Sequence, residues 1–317
     1  MADGELLVGD IGGTNARFAV SAPDGSLRDI QVLQVAAHRS FDEALSAYLN
    51  GLEKRPRALC IASAGALQGD TIHLTNAAWT LGETALGTKF GFAGVRLLND
   101  FQAQARFAGD MTTGEGEVIK DGTPVEGAPV LTIGPGTGFG QSLFVPAKPP
   151  RVIATEGGHR LLPVRNDREL ALYEFMAERL GHEPILEDAL SGRGIANLFE
   201  ACVLAEGKTP APTEPAEVTA SALNEEGPAR QAVLWFLDLL ALAAADACLA
   251  TGARGGVAIS GGIVPRLMPL LDRKSFSETF ARPGILKQYL SDIPVRMVTD
   301  PYAALRGAAC LMRDTLR

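Results

Sequence analysis

Three glycine-rich segments of this chain each follow a short apolar run with the pattern of a β-strand. The first, Gly9-Asp10-Ile11-Gly12-Gly13-Thr14, follows residues 6–8 and precedes the alternating residues 16–20. Glycines let the backbone approach a phosphate closely, while Thr14 offers a hydroxyl donor and Asp10 a carboxylate suited to magnesium, usually through water. The segment lacks the Lys-Ser/Thr pair of a Walker A loop, and the following strand does not fit a dinucleotide fingerprint. Taken alone, it is explained equally well as a tight hairpin turn.

Two further segments favour a bound nucleotide over a purely structural turn. Residues 134–140 place Gly136, Thr137 and Gly138 between two more strand-like runs, and Gly261 and Gly262 follow the apolar residues 257–259. A glycine turn at a strand end can also seat a phosphate on the N-terminus of a following helix. Three such turns together predict a nucleotide-binding protein.

The pair Asn99-Asp100 is the candidate for proton transfer. It follows the strand-like residues 95–98 and precedes a helical pattern over residues 101–107. In open α/β sheets, ligands bind beyond the carboxyl ends of the parallel strands. Phosphoryl transfer needs a carboxylate there to receive the proton of the attacking hydroxyl. On its own, however, an Asn-Asp pair before a helix is more often an N-cap.

Glu156 and His159 stand on either side of two glycines, which we interpret as a flexible spacer. A carboxylate acceptor beside an imidazole that both donates and accepts hydrogen bonds suits the hydroxyls of a sugar. A glutamate and a histidine also suggest zinc, but no cysteine lies between Cys60 and Cys202, so the sequence excludes a cysteine-rich zinc cluster around His159. Glu187, taken alone, is typical of a surface helix.

Strand-like and helical patterns alternate along the chain, which predicts an α/β fold that must hold these residues. The 317 residues exceed the size at which one hydrophobic core stops growing, so we expect two lobes. The glycine-rich residues 114–127 are predicted to form a loop or hinge. Residues 232–250 are apolar but contain Asp238 and Asp246, which favours a buried helix over a membrane span.

The charge and cysteine content restrict the partners and the compartment. The chain has 29 basic and 37 acidic residues, a net charge of −8, which argues against nucleic acid or an anionic membrane as the main partner. The N-terminus is acidic and lacks the basic segment of a signal peptide. The four cysteines are spaced too far apart for a zinc or redox motif. We therefore expect a cytoplasmic protein with buried free thiols.

Six segments occur in order over nearly the whole chain: residues 9–17, Leu98-Asn99-Asp100-Phe101, Gly136-Thr137-Gly138, Glu156-Gly157-Gly158-His159, Leu190-Ser191-Gly192 and residues 261–266. In sequence and spacing this set resembles the bacterial glucokinase family. The resemblance implies a two-lobed α/β fold of the actin-like (ribonuclease-H-like) type with an active-site cleft between the lobes. Residues 1–110 with 301–317 would form a smaller α/β domain, and residues 111–300 a larger one.

The same resemblance implies ATP-dependent phosphorylation of glucose to glucose 6-phosphate, the first step of glycolysis, with Mg²⁺ as cofactor. Asp100 would be the catalytic base, and the sugar would be bound by Asn99, Asp100, Glu156, His159 and Glu187. ATP would be bound by Gly9, Asp10, Ile11, Gly12, Gly13, Thr14, Gly136, Thr137, Gly138, Gly261 and Gly262. Asp10 would also hold the metal. The family further implies a homodimer.

Two segments depart from the family pattern close to the expected sugar site. After His159 the family usually has a small or apolar residue, then Asp-Phe and a proline, whereas this chain has Arg160-Leu161-Leu162-Pro163; residues 64–69 replace a proline-containing turn. One altered hydrogen-bond partner can change discrimination between hydroxylated analogues by orders of magnitude. A kinase for another hexose or an amino sugar therefore stays open, as does a sugar-binding regulator of the same fold with little activity. An acetate-kinase-like or chaperone-like ATPase would have no use for the sugar-binding set.

Overall fold

The computed structural model of the chain describes residues 4–65, 67–74, 79–111, 115–282 and 284–316. Internal contacts divide the chain into two compact units. The first unit contains Met1–Gly114, Phe144–Ala154 and Asp300–Arg317, and the second contains Glu115–Leu143 and Thr155–Thr299. The division predicted from the sequence, 1–110 plus 301–317 and 111–300, stays a prediction.

The two divisions differ mainly at Phe144–Ala154, which the contacts group with the first unit. The ring of Phe144 lies so close to Gly109 that a Cβ atom there would be 2.3 Å from the Phe144 Cγ. The guanidinium of Arg106 also lies 5.4 Å from the centroid of this ring. Such packing depends on residues far apart in the chain, so the sequence pattern carries no sign of it.

The elements of the first unit up to residue 110 are, in chain order, β1 (Leu6–Ile11), β2 (Asn15–Ser21), β3 (Leu27–Gln34), α1 (Phe41–Asn50), β4 (Ala58–Ser63), β5 (Leu67–Gln68), β6 (Thr71–His73), β7 (Thr80–Gly82), α2 (Glu83–Phe90), β8 (Gly94–Asn99) and α3 (Asp100–Asp110). The described strands form a five-stranded sheet in the order β3-β2-β1-β4-β8 and a small sheet of β5, β6 and β7. β1 and β2 are antiparallel neighbours, while β1, β4 and β8 are parallel. The predicted hairpin at Gly12 and Gly13 is therefore confirmed.

Both faces of the five-stranded sheet are covered. Leu7 of β1 belongs to a buried cluster with α1 and α2, while Leu6 and Val8 belong to a second cluster with α3 and the C-terminal helix. Successive side chains of a strand point to opposite faces, so a sheet covered on both sides needs apolar residues at nearly every position. That requirement explains the unbroken apolar runs at the starts of β1 and β4.

The elements that follow are β9 (Glu117–Lys120), β10 (Val130–Pro135), β11 (Phe139–Val145), β12 (Arg151–Thr155), α4 (Asp167–Leu180), α5 (Leu186–Ala189), α6 (Gly192–Ala205), α7 (Pro215–Asn224), α8 (Pro228–Thr251), β13 (Gly256–Ile259), α9 (Val264–Leu267), α10 (Arg273–Ala281), α11 (Lys287–Ser291) and β14 (Val295–Met297). Their described strands form a six-stranded sheet in the order β12-β11-β10-β13-β14-β9. β13 is parallel to both β10 and β14, and β9 is antiparallel to β14.

The two large sheets have related strand orders. In the first, three strands consecutive in the chain, β3-β2-β1, are followed by β4 and β8; in the second, β12-β11-β10 are followed by β13 and β14. Each therefore places a glycine turn between the first two strands of its consecutive set, after β1 and after β10. The repeated strand–turn–strand pattern in the sequence thus corresponds to the same position in both sheets.

Helix α8 belongs to the core of the second unit. Its apolar window has the length and composition of a membrane span, but 72% of it is buried inside the protein. Ala241, Ala244 and Ala245 are fully buried, because their small side chains allow neighbouring elements to pack closely. The predicted buried helix over residues 232–250 is confirmed.

The predicted loop or hinge over residues 114–127 is wrong where β9 forms. Lys120 anchors this strand: its buried ammonium donates to the carbonyl oxygens of Ser291 and Ile293, both at 2.7 Å. The Thr123 N–H donates to the Asp292 carbonyl at 2.8 Å. Gly114 lies outside the described residues. These partners lie far along the chain, so the local glycine and charge content could not indicate the strand.

The C-terminal helix, α12 (Ala303–Leu316), packs on α3, the helix that begins at Asp100. The approach is close at Gly307, where a Cβ atom would lie 1.8 Å from the Ala103 carbonyl oxygen. The Arg106 Nε of α3 also donates to Asp314 of α12 at 2.6 Å. Gly307 therefore sets the distance between the two helices.

We expect Gly307→Ala to lower the melting temperature measured by thermal unfolding. Overpacking costs about 1–3 kcal/mol, and here the overlap involves backbone that cannot rotate away. Alanine's advantage over glycine in a helix is only about 1 kcal/mol.

The matched control is Gly87→Ala in α2, where the new Cβ would make an ordinary contact 3.6 Å from Val95 Cγ2. This variant should be as stable as the wild type or more so. A Gly307→Ala protein that unfolds at or above the wild-type temperature would contradict the close contact of α3 and α12.

Candidate active site

The parallel strands β1, β4 and β8 bring two acidic residues to one edge of the first sheet. The register pairs Ile11 with Ser63 and Ser63 with Asn99, so Asn99 is level with the end of β1. Asp100 follows as the first residue of α3, and Asp10 precedes Ile11 in β1. Both carboxylates therefore lie at the carboxyl edge of the parallel strands, where ligands bind in open α/β sheets.

Asp10 is a half-buried carboxylate with one cationic neighbour. It stands opposite Arg17 in the β1–β2 pairing, and Arg17 Nη1 donates to Asp10 Oδ2 at 3.0 Å. Burial raises the pKa of Asp10 above its usual value, although the positive charge of Arg17 acts in the opposite direction. Desolvation therefore outweighs the ion pair, which leaves a carboxylate that would be stabilised by a cation.

Asp100 has the properties of a general base. Burial and, to a smaller extent, the negative charge of Asp10 together raise the pKa of Asp100 to about 6. The N–H of Phe101 donates to Asp100 Oδ1 at 2.9 Å, which acts in the opposite direction. A carboxyl group with a pKa near 6 is largely ionised at neutral pH and still binds a proton readily.

Asn99 is the N-cap of α3, as the structural interpretation of the Asn-Asp pair predicts. Its Oδ1 accepts from the Phe101 N–H at 3.0 Å, and its own N–H donates to Gln102 Oε1 at 3.1 Å. The Nδ2 group also donates to the Gly65 carbonyl at 3.2 Å. These bonds hold both the side chain and the start of α3, so Asn99 fixes the position of Asp100.

Sequence reasoning missed Gly65 and Gln102. Gly65 has a φ of +122°, and a Cβ atom there would lie 2.8 Å from the His73 carbonyl oxygen, so only glycine fits. Gln102 completes a capping box with Asn99, and the three-residue spacing of that motif could have revealed it. Gly65 lies in the segment that departs from the family pattern, so the resemblance gave no signal for it.

The predicted phosphate residues of the first hairpin differ in their surroundings. Gly12, Gly13 and Thr14 form the turn, closed by the Gly12 N–H donating to the Asn15 carbonyl at 2.9 Å. Ile11 is fully buried in the core. Gly9 is also internal, since a Cβ atom there would lie 2.5 Å from Ile61 Cδ1. The structure thus gives Gly9 a packing reason that the sequence interpretation did not include.

The second unit brings the other two glycine segments together. β10 and β13 are parallel neighbours, and the Ser260 N–H donates to the Ile133 carbonyl at 2.8 Å. Gly261, at a φ of +97°, would place a Cβ atom 2.5 Å from the Pro135 carbonyl oxygen. At Gly262 an added Cβ would meet no described atom within 4 Å. The turn after β13 therefore lies directly beside the end of β10, where the loop of residues 136–138 begins.

Glu187 supports the 136–138 loop. Its Oε2 accepts from the Phe139 N–H at 2.8 Å, immediately after the loop. A Cβ atom at Gly138 would lie 2.5 Å from the same oxygen, so a side chain there would displace the Glu187 carboxylate. The Gly192 N–H, at the start of α6, donates to the Gly136 carbonyl at 2.9 Å. The exposed Thr137 stands between these two anchor points.

Glu156 and His159 lie in a short turn that follows β12 and packs against β11, which we call the 156–159 turn. Gly157–His159 form a 3₁₀ helix, and both Glu156 and His159 expose their side chains. A Cβ atom at Gly157 would meet the Gln141 side chain at 2.2 Å, and one at Gly158 would meet the Phe139 carbonyl oxygen at 2.5 Å. The interpretation of these glycines as a flexible spacer is therefore wrong: they allow tight packing.

A short antiparallel bridge joins the 156–159 turn to α5. Leu161 pairs with Ile185, and the Leu186 N–H donates to the Arg160 carbonyl at 2.8 Å. The Leu162 N–H donates to the Pro184 carbonyl, also at 2.8 Å. Residues 160–162, which depart from the family pattern, thus connect the predicted sugar ligands Glu156 and His159 with the helix that carries Glu187.

A family model described as Glucokinase matches residues 7–315, a span that contains all of these segments. The chain belongs to the glucokinase family. A glucokinase of Chromobacterium violaceum is 38% identical over 313 residues, which cover 98% of this chain and 90% of that protein. The crystal structure of a glucokinase from an Antarctic psychrotroph is 33% identical with a TM-score of 0.87, and the match covers 97% of this chain and 98% of that chain.

More distant glucokinases share the fold. A ROK family glucokinase from Streptomyces griseus, solved in complex with glucose and AMPPNP, is 19% identical with a TM-score of 0.64. The match covers 97% of this chain and 98% of that chain. The predicted α/β fold of the actin-like type and the predicted glucokinase family are both confirmed.

We expect Glu187→Ala to weaken nucleotide binding even without sugar. The variant removes the acceptor for the Phe139 N–H, and a hydrogen bond to a charged group contributes about 1.5–3 kcal/mol. Calorimetry with AMPPNP should therefore show a dissociation constant at least ~10-fold higher than for the wild type.

Glu156→Ala is the matched control, because it removes an exposed carboxylate and leaves the Phe139 hydrogen bond in place. Its affinity for AMPPNP should equal that of the wild type. If Glu187→Ala also binds AMPPNP as tightly as the wild type, Glu187 does not support the loop.

Proposed function

We propose that this chain phosphorylates glucose at its 6-hydroxyl with ATP, and that Asp100 is the catalytic base. The observation that supports this role most strongly is the carboxyl group of Asp100, which lies at the edge of the parallel strands with a pKa raised to about 6. Membership of the glucokinase family supplies the reaction. The same reaction is the first step of glycolysis.

The proposed step is an in-line transfer of the γ-phosphoryl group. The 6-hydroxyl oxygen of the sugar forms a bond to the γ-phosphorus as the bond from that phosphorus to the ADP oxygen breaks. The hydroxyl proton passes to the carboxylate of Asp100. Because Oδ1 already accepts from the Phe101 N–H, Oδ2 is the oxygen available to the proton. Phosphoryl transfer otherwise depends on alignment and charge neutralisation, which the binding residues supply.

Asn99, Asp100, Glu156, His159 and Glu187 are our proposed sugar ligands. The exposed carboxylate of Glu156 would accept from sugar hydroxyls, and the imidazole of His159 would donate or accept. Asn99 would use its remaining amide hydrogen, since Nδ2 already donates one hydrogen to the Gly65 carbonyl and Oδ1 accepts from the Phe101 N–H. Glu187 would use Oε1, because Oε2 accepts from Phe139.

The glycine segments are our proposed ATP site. It comprises Gly9, Asp10, Ile11, Gly12, Gly13, Thr14, Gly136, Thr137, Gly138, Gly261 and Gly262, of which Gly9 and Ile11 would take part only through their backbone. Thr14 and Thr137 are exposed hydroxyl donors for phosphate oxygens. The open surface at Gly262 leaves room for a phosphate to approach the backbone.

Mg²⁺ fits Asp10 as part of a metal–nucleotide complex. Among the described residues, no group of three or more His, Cys, Asp or Glu side chains could hold a metal alone. Mg²⁺ usually keeps several waters and binds one or two carboxylates together with substrate phosphates. Asp10, whose burial is incompletely compensated by Arg17, would hold such an ion through water. When bound, Mg²⁺ neutralises charge on the transferring phosphate.

The proposal extends to the setting of the enzyme. We place it in the cytoplasm, without nucleic acid or membrane as a partner, as its charge and cysteine content predict. The family resemblance further implies a homodimer. The departure at residues 160–163 leaves one alternative substrate class open, another hexose or an amino sugar. A regulator of the same fold with little activity would bind sugar without releasing ADP, so one assay separates these functions.

We expect Asp100→Asn to lower the turnover number for hexose-dependent ADP release by at least ~10², because general-base catalysis contributes about 10²–10⁴. The amide cannot accept the proton, yet its oxygen can still accept from the Phe101 N–H. A hexose panel on the wild type identifies the sugar. Asp24→Asn, in an exposed turn, is the control and should keep full activity.

The unfolding temperature at pH 8 shows whether Asp100→Asn is folded, and the pKa of Asp100 predicts its value relative to the wild type. The folded-state pKa of about 6 lies above the ordinary value of 3.8, so the protonated form is favoured in the folded state. This stabilising contribution is present below about pH 4 and is lost as the pH rises through about 6. At pH 8 the neutral asparagine should therefore unfold at the wild-type temperature or higher. Full activity in a folded Asp100→Asn protein would exclude Asp100 as the base.

A further inference from the structure

Arg160 has no part in the proposed chemistry, yet it contacts three parts of the second unit. We propose that Arg160 is a positioning residue that fixes the 156–159 turn and so sets the affinity for glucose. This inference rests on the proposed sugar-binding role of Glu156 and His159, and it assigns a function to a residue that departs from the family pattern.

The side chain of Arg160 connects the turn to the core. Its Nε donates to the Gly157 carbonyl at 3.1 Å, and its Nη2 donates to the Ala243 carbonyl of α8 at 3.4 Å. The side chain is half-buried, and burial lowers the pKa of Arg160 while the charge of Asp246 acts in the opposite direction. A desolvated guanidinium is costly unless its N–H groups have acceptors, so both carbonyl contacts matter.

The backbone of Arg160 connects the same turn to α5. Its carbonyl accepts from the Leu186 N–H at 2.8 Å, one residue before Glu187. Its own N–H approaches the Gly157 carbonyl at 3.5 Å, a weak bond that the side-chain Nε supplements. Arg160 is thus bonded to the turn that presents Glu156 and His159, and to the helix that presents Glu187.

Only an arginine can make both side-chain contacts. The guanidinium is a planar fork with several N–H donors, whereas a lysine ammonium is a single point charge on a flexible stem. Methionine would fill much of the same space without donating. The turn is already fixed on the side that faces β11, because Gly157 and Gly158 pack there. Without the guanidinium, the turn is held at that side and by the backbone bridge alone.

A displaced turn should affect the sugar and not the nucleotide. Loss of one hydrogen bond to a charged group such as the Glu156 carboxylate costs about 10-fold to 150-fold in affinity. The 136–138 loop has its own supports in Glu187 and Gly192, neither of which depends on the Arg160 side chain. A general loss of folding would instead weaken both ligands together.

The test compares Arg160→Met, Arg160→Lys and the wild type. Calorimetry measures the dissociation constants of glucose and, separately, of AMPPNP; thermal unfolding measures the melting temperature, and ADP release gives KM and kcat. Arg168→Ala is the matched control, because Arg168 also links to α8, through Gln231 at 2.8 Å, but does not contact the turn.

We expect Arg160→Met to raise the dissociation constant and the KM for glucose at least ~10-fold, with the AMPPNP constant within ~2-fold of the wild type. The turnover number should fall less than KM rises. Arg160→Lys should restore part of the affinity, and Arg168→Ala should match the wild type for both ligands.

Three results would overturn the inference. Unchanged glucose affinity in Arg160→Met would remove the positioning role alone. A parallel loss of both affinities with a lower melting temperature, in Arg160→Lys as well as Arg160→Met, would assign Arg160 to general stability. Failure of the wild type to bind or phosphorylate glucose would overturn the proposed function, and this inference with it.

Discussion

The parallel pairing of β1, β4 and β8 determines where both acidic groups of the proposed reaction stand. The register places Asn99 level with the end of β1, so Asp100 and Asp10 share one edge of the sheet. Their surroundings remove water from both carboxylates, and the charge of Asp10 raises the pKa of Asp100 further. The partial positive charge at the start of α3 acts in the opposite direction. The result is a carboxyl group that both binds and releases a proton near neutral pH.

The glycines of this chain serve two physical purposes that their sequence pattern does not separate. Gly262 leaves open space beside the backbone, as a phosphate site requires. At Gly158 and Gly261 a Cβ atom would lie 2.5 Å from a backbone carbonyl oxygen, so glycine is required, and at Gly138 it would lie 2.5 Å from a side-chain oxygen. At Gly138 that oxygen belongs to Glu187, a proposed sugar ligand. The 136–138 loop therefore packs against Glu187 and also belongs to the proposed ATP site.

Local patterns predicted the elements that depend on local interactions. The hairpin at Gly12 and Gly13 and the buried α8 were both evident from spacing and composition. β9 was missed because its support comes from β14 and from Lys120, whose partners lie more than a hundred residues away. A glycine-rich and charged segment looks like a loop unless those distant partners are known.

Only part of the candidate site was predicted from the sequence. The resemblance supplied Asp100, Glu156 and the glycine loops as a set, but it could not supply residues specific to this chain. Arg160 stood out only as a departure from the family pattern, and its contacts with Gly157 and Ala243 are visible only in three dimensions. The hydrogen bond from Phe139 to Glu187 likewise joins residues that no spacing relates.

The most direct test of the central claim is an NMR titration of the Asp100 carboxylate in the protein free of nucleotide and magnesium. The signal is assigned by its loss in Asp100→Asn, and the titration is repeated in Asp10→Asn. We expect a pKa of about 6 in the wild type and a lower value in Asp10→Asn, because the neighbouring negative charge is gone. A wild-type pKa near 3.8, or one that Asp10→Asn leaves unchanged, would contradict the central claim.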